Sequence, residues 1–511
     1  MPRFTDPRYF SKRPWLEYVF IVSACAGQFL VQSATMDVLS IMVQLQKSFN
    51  SESSFRPWYM ASFGLATGTM ILISGRYGDT FGIKRVVLGG YLWTILWSLL
   101  CGFAWYTRHL GPDFFVAARA FQGAGLAFVL PNLLGAVGRV FSPGSLRKKV
   151  VFGCVGLCAP LGGWGGPFMA GVIGVTTERW DWNFYAYAIT ASLICVMTMV
   201  SMPDLPPLPA PDGSKQDLDL IGSVFGVGFL VLFNFVWNQA PISGWDAPFI
   251  IALLVVSFAL AVAFVLWELF AAKQPLVPRL VLTNTRLLGI LFIIFIGWGS
   301  FGIDIYHCFT LVLDFRHYSP LGAGAVTSPA PAVGAFAGIS CALLISPKTV
   351  EYILLFAMMA FLSMSLILAT APIDQTYWRH TFGMWMIGPM GMDWSFPAAT
   401  IMLSEELPPE YQGMAGSLVT VMVNYGTSIF LGFAGTIEEQ LLKQRPDDTW
   451  RAWRASEYFA VGVAGLAVSL AIVFCILKWR NSPPPGVETS SEEKDSDTVS
   501  DISHNPRTSK E

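Results

Sequence analysis

The chain has 511 residues, 54% hydrophobic and only 13% charged, with a mean hydropathy of +0.53 and a formal net charge of −2. A soluble domain normally carries about 25% charged residues, so this composition excludes an ordinary soluble enzyme, and the near-neutral balance gives no basis for a nucleic-acid partner. Long apolar runs recur, without the alternating pattern of barrel strands, so the expected fold class is an all-α polytopic membrane protein with the lipid bilayer as its solvent.

A bilayer-crossing helix needs about 20 mainly apolar residues. Runs at 17–46, 57–76, 86–106, 113–140, 149–174, 182–202, 219–238, 247–271, 287–313, 321–346, 351–371, 380–403, 413–437 and 457–479 predict fourteen crossings. Residues 1–16 are basic and read as a cytoplasmic N-terminal tail, since the run that follows is too long for a signal-peptide core. The Pro-rich segment 203–218, "PDLPPLPAPDGSKQDL", is the clearest internal boundary. It predicts a six-helix half over 17–202, an extra helix pair over 219–271 and a second six-helix half over 287–479. Residues 480–511 are acidic and Ser-rich, which predicts a disordered cytoplasmic tail. The connections that would lie inside hold more Lys and Arg than the outer ones, although an outer loop at 438–456 is itself basic. That asymmetry predicts both termini inside.

The eight cysteines all lie in apolar runs, with no CxxC or His/Cys cluster, so neither a disulfide framework nor a zinc site is indicated. No P-loop, GxSxG, HExxH or intramembrane His box occurs, which argues against an enzyme or a nucleotide-driven pump. No metal or cofactor is expected.

Three stretches carry more specific information. The first is "GRYGDTFGIKR" at 75–85. Gly75 and Gly78 permit close helix approach and Gly82 a tight turn, while Asp79 sits among Arg76, Lys84 and Arg85. Such a hairpin can hold two helices in one state and release them in another, or can be an ordinary basic loop. The second is "ARAFQGAGLAF". Arg119 and Gln122 are three residues apart and share a helix face, next to Gly123. An arginine inside a span needs a partner, a wet cavity or a short reach to the headgroups. The third runs from Gly153 through Gly162, Gly166 and Pro167 to Gly171, and includes "GGWGGPFMAG". It reads as a kinked helix with a small-residue face that can pack tightly against another helix.

These elements resemble the signature motifs of the major facilitator superfamily, and the third resembles the signature of its drug:proton antiporters. Longer stretches, among them "MASFGLATGTMILISGRYGD" and "PPEYQGMAGSLV", are similar to the fungal aminotriazole-resistance and boron-efflux proteins. The resemblance spans roughly residues 15–480. It implies two six-helix halves that rock about a central cavity, in a fourteen-span, proton-coupled antiporter. Within the first motif, Thr80 and Ile83 replace the usual basic residues. An Asp-Thr element usual in the first span is absent near Ala34, with Asp37 one turn later.

Buried charge adds an independent pointer. Away from the span ends stand Asp37, Arg119, Asp304 and Asp393, on the first and fourth helices of each expected half. Lone carboxylates at depth are costly when ionised, which makes Asp37 and Asp393 candidate proton carriers, with Arg119 tuning the site. His307 follows Asp304 by three residues and can share its face, as a titrating group or as polar packing; Asp304 can equally contact substrate. The expected activity is secondary active, proton-coupled export of a small toxic compound such as borate or an aminotriazole-like molecule. The alternative is export of a fungal metabolite or toxin. The resemblance implies a monomer in the plasma membrane, with the vacuolar membrane as the alternative.

Overall fold

The computed structural model describes residues 7–10, 13–142, 145–207, 218–408 and 411–481. Six long helices come first: α1 (Trp15–Phe49), α2 (Pro57–Phe81), α3 (Ile83–Phe103), α4 (Asp113–Val140), α5 (Leu146–Thr176) and α6 (Asp181–Ser201). Two follow, α7 (Leu220–Ser243) and α8 (Pro248–Leu266), the latter extended by a π-turn over Trp267–Ala271. The last six are α9 (Thr285–Thr310, with a π-turn over Leu311–Phe315), α10 (Pro320–Ala325 and Ala330–Leu344), α11 (Val350–Ala369), α12 (His380–Glu406), α13 (Gln412–Gln444) and α14 (Thr449–Asn481). Most connections are short and reverse the chain; the longest, between α6 and α7, lies partly outside the described residues. The start of α1 and the end of α14 therefore share one face of the bundle, called the terminal face below, opposite the far face.

Among the described residues, twelve helices are long and apolar enough to cross a membrane. The two long helices outside that set are α2 and α12. Both are diluted by polar groups: α2 carries Arg76, Asp79 and many Gly, Ser and Thr residues, and α12 carries Asp393, Glu405 and Glu406. The expectation of fourteen crossings is thus not met on apolarity alone.

Local sequence explains most helix ends. Gly82, at φ +92°, ends α2 and starts α3 with a single residue between them, a conformation that favours glycine. Asp219, Asn284 and Ser319 cap α7, α9 and α10 by accepting backbone N–H bonds. Pro329 and Pro331 flank the restart of α10 at Ala330, where missing N–H groups leave the ladder broken. The loop expected at 438–456 is mostly helix instead, because no Gly or Pro interrupts the run before Arg445.

The first six helices pack mainly on one another, as do the last six. Between them α5 crosses α10, and α2 crosses α13. Small residues set both crossings. A Cβ on Gly171 would lie 2.5 Å from the Pro320 carbonyl oxygen, and one on Gly324 2.5 Å from that of Pro167. On the other side a Cβ on Gly68 would lie 3.0 Å from the Tyr425 backbone nitrogen, and the Ser428 hydroxyl donates to the Ala61 carbonyl over 2.9 Å. Toward the terminal face the packing at both crossings loosens. Gly153 lies seven residues before Pro160 on the same side of α5, Gly338 four after Gly334, and Gly75 seven after Gly68, yet none has a neighbour at its Cβ position. At the far face Arg56 pairs with Asp314 and also bonds Gln46, tying the α1–α2 connection to the end of α9.

The pair α7–α8 lies beside the α2–α13 crossing. Tyr425 donates to the Leu230 carbonyl (3.0 Å), and Asn238 bonds Asn234 (2.9 Å), which accepts from Ser428 (3.2 Å). By contrast only 11% of the most apolar stretch of α8 is buried, against 78% for that of α9, so α8 is peripheral and α9 central. The expected tail at 1–16 includes a short helix, Pro7–Phe10, whose Phe10 packs on Phe20. Within the expected linker, Leu205 is buried and Arg139 donates to the Pro206 carbonyl; residues 208–217 lie outside the described residues. The tail expected at 480–511 is described only as far as Asn481, the end of α14.

Candidate functional site

The polar centre of the first six helices is built on Arg119 of α4. Its guanidinium is fully buried, 3.3 Å from Asp37 of α1. It also donates to the Ala34 carbonyl (2.7 Å) and to Gln122 (2.6 Å), and lies 4.8 Å from the ring centroid of Phe63. Gln122 passes a bond on to Ser98 of α3 (2.8 Å), and Asn183 of α6 donates to the second Asp37 oxygen (2.9 Å). Four helices thus converge on one paired charge. Burying an ion pair is tolerable only with such added hydrogen bonds. The shared face of Arg119 and Gln122 is therefore realised, and Arg119 is held in the core rather than reaching to a headgroup. Gly123 lets α4 close on α2, since a Cβ there would meet the Phe63 carbonyl oxygen at 2.6 Å.

The last six helices hold a different cluster. Asp304 of α9 accepts from Ser365 of α11 (2.7 Å), while its other oxygen is buried without a hydrogen bond. His307, one turn away, lies between two acids. Its Nδ1 is 2.6 Å from Glu457 of α14 and its Nε2 3.0 Å from Glu438 of α13. The Trp453 indole donates to the His307 carbonyl (3.3 Å).

Asp393 stands apart from both clusters. It lies midway along α12, against α10, where a Cβ on Gly334 would be 2.7 Å from its Oδ2 and 2.5 Å from Pro160 of α5. That oxygen is buried with no hydrogen-bond partner. Asp393 is thus a half-buried acid, with one buried and unpartnered carboxyl oxygen, placed at the crossing of α5 and α10, on the seam between the first and last six helices. The structure does not gather Asp37, Asp304 and Asp393 into one site.

The glycine stretch is helical throughout, because α5 runs unbroken through Pro160 and Pro167. Its small residues serve two contacts rather than one face. Gly162 and Gly166 abut the backbone of α1 at Phe29 and Ser33, within the first six helices, whereas Pro167 and Gly171 meet α10. Gly153 faces open space, so it takes no part in tight packing here. In the 75–85 hairpin, Gly78 closes on Asn132 of α4 and Gly82 makes the turn, but Gly75 has no close neighbour. Asp79 is not in an ion pair with its expected basic neighbours. Lys84 reaches the exposed Asp204 (3.4 Å) and Arg76 donates to the Pro275 carbonyl before α9.

Sequence reasoning missed Glu438 and Glu457, since one fell in the expected outer loop and the other at the first residue of the expected last crossing. The uninterrupted helical run "GTIEEQLLKQ" is the signal that places Glu438 inside α13. The Arg56–Asp314 contact joins residues 258 apart and has no local signature.

Comparison with known proteins agrees with this architecture. The profile of the Major Facilitator Superfamily matches residues 24–378 and 352–508. The aminotriazole resistance protein of Saccharomyces cerevisiae is 41% identical over 93% of this chain and 86% of its own length. The low affinity ammonium transporter of the same yeast is 38% identical, covering 90% and 88% of the two chains. The efflux pump terJ of Aspergillus terreus is 33% identical, covering 94% and 92%. In fold, a POT family transporter crystallised with 5-aminolevulinic acid superposes with a TM-score of 0.63 at 12% identity, over 92% of this chain and 97% of that one. These relatives are transporters rather than enzymes, and the chain is a multi-pass membrane protein that belongs to the major facilitator superfamily.

Proposed function

We propose that this transporter is a proton-coupled exporter of small toxic compounds, working as a single chain in the plasma membrane with both termini cytoplasmic. The fourteen long helices are read as fourteen crossings in a six-two-six arrangement. One residue joins α2 to α3 and short connections bound α12, so each must return across the bilayer despite its polar content. In that topology the terminal face is cytoplasmic. The seam, closed at the far face and more loosely packed at the terminal face, corresponds to a carrier ready to load from the cytoplasm.

The observation that carries the proton-coupled reading is Asp393. A buried carboxyl oxygen without a partner is costly in its ionised form, and this one stands on the seam where the two halves move past each other. Asp393 is assigned the exchangeable proton. Asp37, already matched by Arg119 and Asn183, is assigned the fixed centre of the first half. Similarity to a resistance protein and an efflux pump supports export and a toxic cargo. Inside-out vesicles test the reading: with an acidic interior they should accumulate aminotriazole or boric acid, and collapse of the pH gradient should abolish accumulation. Similarity to an ammonium transporter, together with a lone carboxylate on the seam, favours a second reading in which a small cation is the cargo. Gradient-insensitive ammonium flux without aminotriazole or borate transport would select it.

A further inference from the structure

The cluster around His307 is built for something the seam does not need. Two carboxyl oxygens, Oδ1 of Asp304 and Oε2 of Glu457, are buried with no hydrogen-bond donor, and both residues are fully buried. The charged groups that face His307 are Asp304 of α9, Glu438 of α13 and Glu457 of α14, while Cys308 of α9 faces Asp304, Glu457 and Arg316. α11 supplies only the Ser365 hydroxyl, and α12 presents Trp385 toward Cys308. Tyr306, whose ring lies 5.6 Å from that of His307, faces Arg56, Glu438 and Asp314. Beside a neutral imidazole, two buried carboxylates would leave two negative charges in a low-dielectric interior, which is unfavourable. A proton held on that pair removes one of them.

The geometry also supplies a route. Glu438 is partly exposed, with 28% of its side chain accessible, and sits toward the far-face end of α13. From its carboxylate the line runs 3.0 Å to His307 Nε2, and from Nδ1 2.6 Å to Glu457. We propose that Glu438, His307 and Glu457 form a second proton site, separate from Asp393 and charged from the far-face side. The inference rests on the proton-coupled reading of this transporter. A proton taken up by Glu438 passes to Nε2, the imidazolium gives its Nδ1 proton to the Glu457 carboxylate, and Glu438 and the ring each end at their starting charge. Release along the same path restores the original tautomer. The hydroxyl of Ser365 holds Asp304 in place, and the nearby charge of Asp304 favours the proton on Glu457.

Infrared difference spectroscopy on the full chain in vesicles tests this, with a rapid acid jump applied to the far-face side. The expected result is a carboxylic-acid carbonyl band with a component that Glu457→Gln removes and Asp393→Asn retains. Glu438→Gln should keep that component but slow its appearance at least ten-fold. A purely structural ion pair would leave the kinetics unchanged. A spectrum unaltered by Glu457→Gln, or uptake as fast in Glu438→Gln as in the natural chain, overturns the proposal. If Glu457→Gln fails to fold, the partly exposed Glu438→Gln decides alone. A natural chain that shows this pattern of proton uptake but no transport driven by a pH gradient would refute the coupled reading while leaving the second site standing.

Discussion

The two ends of the chain solve the same problem, a charge inside an apolar bundle, in opposite ways. In the first six helices Asp37 is matched by Arg119, and Gln122, Ser98 and Asn183 take up further hydrogen-bonding capacity. In the last six, Asp304, Glu438 and Glu457 outnumber His307, and Asp393 has no partner on its buried oxygen. Neutral pairing makes a fixed centre; unpaired acid makes a centre that binds cations or protons. On the proposed reading the first half is scaffold and the second handles the proton, although the two halves share their helix-packing plan.

The largest effect should come from breaking the pair in the first half. Arg119→Leu leaves Asp37 buried and uncompensated, which costs about 3–5 kcal/mol, and the protein should lose its folded population in a detergent thermal-stability assay. Restoring stability with Asp37→Asn in the Arg119→Leu background would confirm that the pair is structural. The glycines of α5 divide along the same line. Gly166→Leu collides with the α1 backbone inside one half and should reduce folded yield and transport together. Gly171→Leu collides with α10 across the seam, and should spare folded yield while reducing transport at least ten-fold.

Smaller effects are expected where the halves only touch. Asp314→Asn loosens the far-face contact with Arg56. A partly exposed ion pair is worth about 0.2–1 kcal/mol, so alkylation of a cysteine introduced at Gly153 should slow no more than about five-fold as the terminal face closes. Lys84→Ala should change neither stability nor transport by more than about 0.5 kcal/mol equivalent, because Lys84 reaches only the exposed Asp204 in this state. A large loss in that variant, measured in the same vesicles, would show that the 75–85 hairpin governs the other conformation.

Much of this was legible in the sequence, for identifiable reasons. Apolar runs located every long helix, since burial in lipid is read from composition alone. The i, i+3 spacing of Arg119 and Gln122 and the depth of Asp37, Asp304 and Asp393 were visible as charges where charge is expensive. Their partners were not. Asn183, Glu438 and Glu457 lie on helices remote in sequence, and packing rather than periodicity brings them to Asp37 and His307. The glycines were legible as small, but which helix each one meets is a tertiary fact, so Gly166 and Gly171 looked equivalent. α2 and α12 were located in the same way, but their polar content keeps them outside the set apolar enough to cross a membrane.

The central claim is that Asp393 carries the exchangeable proton while the Asp37–Arg119 pair does not. The direct measurement compares Asp393→Asn with the natural chain in vesicles, reading aminotriazole exchange at equal pH on both sides and accumulation driven by a pH gradient. Exchange should persist, since the seam and its helices remain, while gradient-driven accumulation should fall at least ten-fold. Accumulation equal to that of the natural chain would contradict the account.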